Sequence, residues 1–338
     1  MNPMFELEIN GVPKAEKMML PKDAILQLEE KDKIGFDLGR DWAYYNQPIP
    51  DNADAAIYRG HKSNTAHLPR TKEIDRFIKK WLQLRYHAYL RNRPVSENVT
   101  PKLIHLLDKP VCPINLTPLT HGQLSKQDWS VERLCNNAGY AWGNLIIESK
   151  LANDARGSMS YEEIERAAKS TRPTNKIAPE AWKRYSTIAR GPNFWSGGVK
   201  GIEPINTHMP RYIFNCPSHI LMEMAFWSCC HSSEKVRTNA NRVLKQYSKS
   251  ESSLKLARQL RAKIERKFNS GYRLHTIFQN ASCFDAFLRW YETCAFSFAQ
   301  YNAFVLTEQG KDVSDNSNIA KEFNPIGEWW VSTGGHLY

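Results

Sequence analysis

The segment from Cys112 to Gly157 constrains the fold of this chain more than any other. Trp129-Ser-Val-Glu-Arg-Leu134 reads as a strand with an acidic residue, Glu132, at its end. Gly139-Tyr140 marks a loop, and Gly143-Asn144-Leu145 is predicted to enter a helix that finishes on basic residues around Arg156. Such short elements need a shared apolar face. Val131, Leu134, Leu145, Ile146, Ile147 and Leu151 supply the candidate core that would hold hairpin and helix together.

Taken in order, the opening Cys112-Pro-Ile-Asn115 turn, the strand ending in Glu132, the Gly-Tyr loop, Gly-Asn-Leu, and Asn153 nine residues after Asn144 resemble the core of an HNH endonuclease. The resemblance covers about one seventh of the chain. It implies a small ββα-metal core in which Glu132 stands at the acidic metal ligand, Arg133 at the histidine that activates water, Asn144 at the middle asparagine and Asn153 at the final ligand. One Mg²⁺ or Mn²⁺ between Glu132 and Asn153 would suit that oxygen-donor pair. DNA is the substrate the resemblance implies.

The chain departs from the family pattern in two places, one structural and one chemical. Many members staple the fold with two Cys-x-x-Cys pairs around zinc; here Cys112 is paired with Asn115, and the second pair falls on Ser149 and Ala152. Tetrahedral zinc takes four sulfur or nitrogen ligands, so no structural zinc is expected. The chemical departure lies at the base position. An arginine stays protonated at any accessible pH and cannot be a general base, so Arg133 could hold a phosphate but not take a proton from water. His121, eleven residues before Glu132, is the nearest titratable substitute; its other reading is a solvated loop histidine. Asn144 is read equally as a site residue and as a cap that ties the loop together.

The composition agrees with a polyanionic partner. A formal charge of +11 attracts nucleic acid at long range. The excess is uneven: residues 235 to 267 hold eleven Lys and Arg against Glu251 and Glu265. Within them Leu254, Leu256, Ala257, Leu260 and Ile264 recur at near-helical spacing, so an amphipathic helix is predicted with Lys255, Arg258, Arg261, Lys263 and Arg266 available for phosphate. A second basic helix is predicted over residues 71 to 91, with Lys79 and Lys80 on its polar face and Ile74, Phe77, Ile78, Trp81 and Leu82 on the other. Lys150 and Arg156 complete the candidate nucleic-acid contacts.

The expected fold class is α+β and mostly helical, with the ββα core at 101 to 175 flanked by helical regions. Residues 1 to 100 form an irregular region plus the basic helix, with one further short helix around Lys22 to Lys31. Residues 176 to 338 form a loop-rich connector, to about 215, and a helical C-terminal domain. Ser160 and Glu163 predict a capping box opening a helix at Tyr161. Phe284, Phe287, Leu288, Tyr291, Cys294, Phe298, Tyr301 and Phe304 recur at threes and fours, a core stripe rather than a base-stacking platform. The turn at Gly197 to Gly201 lacks the Gly-Lys-Ser/Thr ending of a phosphate loop.

Seven cysteines, odd in number and scattered, make no disulfide framework. Adjacent Cys229 and Cys230 are expected to point apart on a helix and to pack in the interior. The N-terminal residues lack a signal-peptide pattern and no stretch has the length of a membrane span, so a cytoplasmic protein is expected. Three readings stay open: a metal-dependent HNH-type endonuclease hydrolysing DNA; a catalytically degenerate HNH-like DNA-binding subunit of a larger phage, transposon or defence complex, with protein partners on the helical C-terminal half; and a helical structural protein. A homodimer would suit duplex cleavage by the first.

Overall fold

A computed structural model describes residues 28–64, 74–97, 99–136, 138–141, 144–189, 202–207 and 217–294. These residues are mostly helical, with one two-stranded antiparallel sheet, a composition compatible with the α+β class. Helices α1 (Leu28–Tyr44), α2 (Ala55–Asn64), α3 (Arg76–Leu90) and α4 (Pro101–Leu107) precede the hairpin β1 (Trp129–Arg133) and β2 (Leu145–Ser149). After it come α5 (Lys150–Arg156), α6 (Tyr161–Lys169), α7 (Pro179–Ala189), α8 (Pro217–Cys230), α9 (Glu234–Tyr247), α10 (Glu251–Asn269), α11 (Leu274–Ile277) and α12 (Ala281–Tyr291).

The region expected to be irregular before residue 68 holds two packed helices. Gly39 and Gly60 explain why. A Cβ on Gly39 would lie 2.0 Å from the Ile57 carbonyl oxygen, and one on Gly60 would lie 1.9 Å from that of Phe36. These two glycines let the helix backbones touch. Residues before 28, including most of the short helix expected at 22 to 31, lie outside the described part, as do the glycine-rich turn expected at 197 to 201 and the aromatic stripe beyond Cys294. Helix α7 lies inside the stretch expected to be loop. Its starting Pro179 fits a first helical position, where no backbone N–H is needed.

Other expectations hold. The capping box is present: Ser160 Oγ accepts from Glu163 N and Glu163 Oε2 accepts from Ser160 N at 2.7 Å. Helix α3 starts five residues later than predicted because Asp75 caps it, accepting from Phe77 N and Ile78 N at 2.9 Å.

The apolar core runs from Leu84 through Trp290 and continues across residues 100 and 175, drawing on α3 to α12 and the hairpin. Leu38, Ile57, Tyr86 and Tyr89 form a smaller, separate cluster under α1 and α2. No helix among the described residues is long and apolar enough to cross a membrane.

Candidate functional site

The hairpin positions the candidate site through its register. Ser130 pairs with Glu148 and Glu132 with Ile146, so Ser130, Glu132 and Glu148 share one face, with Glu132 and Glu148 as diagonal neighbours. Helix α5 lies across that face. Asn153 Nδ2 donates to Ser130 Oγ at 2.8 Å, and one turn later Arg156 Nη1 stands 4.0 Å from Glu132 Oε1.

The residues from Asn144 onward are a strand before they are a helix. The strand opens on three apolar residues, Leu145 to Ile147, and is buried along its whole length, so no alternation distinguishes strand from helix. Ser149, not Asn144, caps α5, its hydroxyl accepting from Ala152 N. Asn144 is fully buried and clamps the loop after β1: its Oδ1 accepts from Cys135 N at 2.8 Å, and its Nδ2 donates to Gly139 O at 2.8 Å and to Cys135 O at 3.3 Å.

Two arginines grip the same loop. Arg133, 6% exposed, donates from Nη1 to Asn136 O at 2.9 Å and Ala138 O at 2.8 Å, with its guanidinium over the Tyr140 ring. Arg156, 2% exposed, donates to Leu134 O at 2.6 Å and Asn136 Oδ1 at 3.1 Å and lies over the Tyr185 ring. Gly139 completes the arrangement, since a Cβ there would meet Pro94 O at 2.7 Å while Tyr140 N donates to that oxygen. These contacts give the Gly-Tyr motif and both arginines a structural role, and they correct two expectations: neither guanidinium is exposed to lie on a phosphate.

His121 is also placed elsewhere. Its Nε2 is 3.2 Å from Asp108 Oδ1 and its ring packs on Trp129, at the start of β1. Three residues of strand, about 10 Å, separate that end from Glu132. The same end gathers Arg76, which pairs with Asp108 at 2.8 Å, and Lys80, which donates to Trp129 O at 3.3 Å. Burial pushes the Lys80 ammonium below its ordinary range.

Glu148 is the site residue that sequence reasoning missed. It is fully buried; Tyr185 donates its hydroxyl to Oε1 at 3.2 Å, and Oε2 has no partner among the described residues. Burial pushes its carboxyl up to about 8, with Arg156 acting in the opposite direction. At neutral pH Glu148 is therefore mostly protonated, and two guanidiniums face the single carboxylate of Glu132. Nothing around Glu148 in the sequence announces this, because Tyr185, which closes the cluster, lies 37 residues away.

Cys112, Asn115 and Ser149 come together at the start of α5. Cys112 Sγ accepts from Ser149 N at 3.3 Å, and Asn115 Nδ2 donates to Ser149 Oγ at 2.9 Å. Neutral hydrogen bonds tie the turn to the start of α5, and burial raises the Cys112 thiol.

On the basic helices the cations are unequally engaged. Lys79, Lys255 and Arg266 are exposed. Lys150 pairs with Asp154 at 3.1 Å, and Arg258 with Glu251 at 2.7 Å. Arg261 donates to Ser228 O and Lys263 to Ser282 Oγ. No family model, curated protein or solved structure matches the chain.

Proposed function

We propose that the protein binds DNA through a catalytically degenerate HNH-like core, the ββα unit of β1, β2 and α5. The observation that carries this reading is the surrounding of Glu132. Its carboxylate faces Arg133 and Arg156, each 4.0 Å away, beside a protonated Glu148. The resulting excess of positive charge opposes a divalent cation and favours an anion nearby. The residue at the base position is a buried arginine holding a loop, and His121 stands at the far end of β1 on Asp108. Exposed Lys79, Lys255 and Arg266 would supply phosphate contacts, which position a protein on DNA without reading its sequence. Partner proteins in a larger complex would fit on the helical C-terminal half.

One observation favours cleavage as a second reading. Glu132 Oε2 and Asn153 Oδ1 make no hydrogen bond among the described residues, so two oxygens stand unclaimed at the positions of the family's metal ligands. They would take Mg²⁺ or Mn²⁺, with the ion supplying charge stabilisation at the scissile phosphate.

Supercoiled plasmid separates the two readings. Binding should weaken steeply as salt rises, with the plasmid remaining supercoiled in Mg²⁺ and in Mn²⁺. Nicking that disappears in EDTA and in Glu132→Ala would overturn the degenerate reading and establish the nuclease.

A further inference from the structure

Cys229 and Cys230 close α8, and their sulfurs lie 3.6 Å apart. Adjacent cysteines within a helix diverge, so the expectation of two separately packed thiols does not hold at this helix end. Both residues are half-buried rather than interior. Helix α10 packs against α8 at this point, and Arg261 spans the contact: its Nη2 donates to Ser228 O at 3.3 Å, while its Nε is buried with no partner among the described residues. The Cys230 S–H and the Arg261 guanidinium hold the Cys229 thiol below its ordinary range, against burial and the charge of Glu265. Cys230 is pushed up by the same shared proton. One sulfur thus sits beside a cation with a second thiol within reach, the pairing that makes a cysteine oxidant-sensitive.

We propose that Cys229 and Cys230 are a redox-reactive vicinal dithiol that hydroperoxides convert reversibly to a disulfide. The Cys229 thiolate attacks the distal peroxide oxygen, breaking the O–O bond and releasing an alkoxide that leaves as the alcohol after protonation; Cys229 becomes a sulfenic acid. The Cys230 sulfur then attacks the Cys229 sulfur, the S–OH bond breaks, and its hydroxide departs as water with the Cys230 proton. Adjacent α-carbons stand roughly 3.8 Å apart, closer than the ~4.4 Å lower end for ordinary disulfides. The new bond is strained and yields readily to a thiol reductant. Closing it distorts the last turn of α8, where His231 N donates to Trp227 O and Arg261 reaches Ser228 O.

The test is titration of the full chain with tert-butyl hydroperoxide, followed by thiol counting and peptide mapping. The expected result is loss of two of the seven thiols in a first phase, a peptide carrying a 229–230 disulfide, and recovery of both thiols with dithiothreitol. Cys230→Ser should stop at a sulfenic acid on Cys229 that dimedone traps. Cys229→Ser should abolish the first phase, because the attacking sulfur is gone, and Arg261→Gln should slow it by removing the cation beside that sulfur. Circular dichroism of each variant separates slowed chemistry from lost fold. First-phase oxidation at other cysteines, or an unchanged rate in folded Cys229→Ser, would overturn the proposal.

Discussion

Two links that tie the β1–β2 hairpin to its neighbouring loops are of opposite kinds. Where Ser149 begins α5, the turn at Cys112 and Asn115 is tied down by neutral hydrogen bonds at 2.9 and 3.3 Å. Where Glu132 ends β1, closure depends on Arg133, Arg156 and Asn144 gripping the following loop, with Glu132 and Glu148 beneath. Each neutral contact is worth about 1 kcal/mol and is insensitive to pH. The charged link is interdependent, because removing one member leaves the others buried and uncompensated.

The sharpest test of that contrast is Arg156→Ala, which strands Glu132, Leu134 O and Asn136 Oδ1. A loss of about 3 to 5 kcal/mol is expected from urea unfolding; a loss below about 1 kcal/mol would place the loop's support elsewhere. Asn144→Ala comes next, leaving Cys135 N and Gly139 O without their partner at a cost of about 2 kcal/mol.

Glu148→Gln should change the pH dependence more than the stability itself. The folded carboxyl titrates near 8, well above an unfolded glutamate, so the folded state holds the extra proton. Stability from this group is fully present below the unfolded pKa and is lost as pH rises through the folded one. Thermal melts of the native protein should fall from pH 5 to pH 8.5 and flatten in Glu148→Gln; parallel curves would show that Glu148 is not the titrating group. Ser149→Ala, in the neutral link, removes a cap and the partner of Asn115 for about 1 kcal/mol, with the same deficit at pH 5 and pH 8.5.

The sequence was most readable where structure depends on neighbours. The Ser160–Glu163 box and the amphipathic α10 are local patterns and appear as expected, and α3 appears with a later start under its Asp75 cap. The hairpin was half legible: β1 alternates, whereas the all-apolar start of β2 merged with the helix behind it. The candidate site was legible in its residues more than in their roles. Glu132, Arg133, Asn144 and Arg156 do gather, but burial turned both arginines from phosphate contacts into loop clamps: Arg133 lies over Tyr140 of its own loop, and Arg156 over Tyr185 of α7, far along the chain. His121 was linked to Glu132 by sequence distance alone, and the turn that carries it ends on Asp108 instead. Helices α1 and α2 were hidden because close approach of backbones requires the glycines that elsewhere signal loops.

That close approach gives the N-terminal pair a dynamic signature of its own. Helices α1 and α2 meet through Gly39 and Gly60 and cover a core of four buried residues, whereas the hairpin belongs to the main core. Amide hydrogens of α1 and α2 should therefore exchange with deuterium through a separate, less costly opening than those of β1 and β2. Any side chain at position 39 or 60 would hold that opening ajar, raising exchange across both helices while leaving the hairpin amides protected.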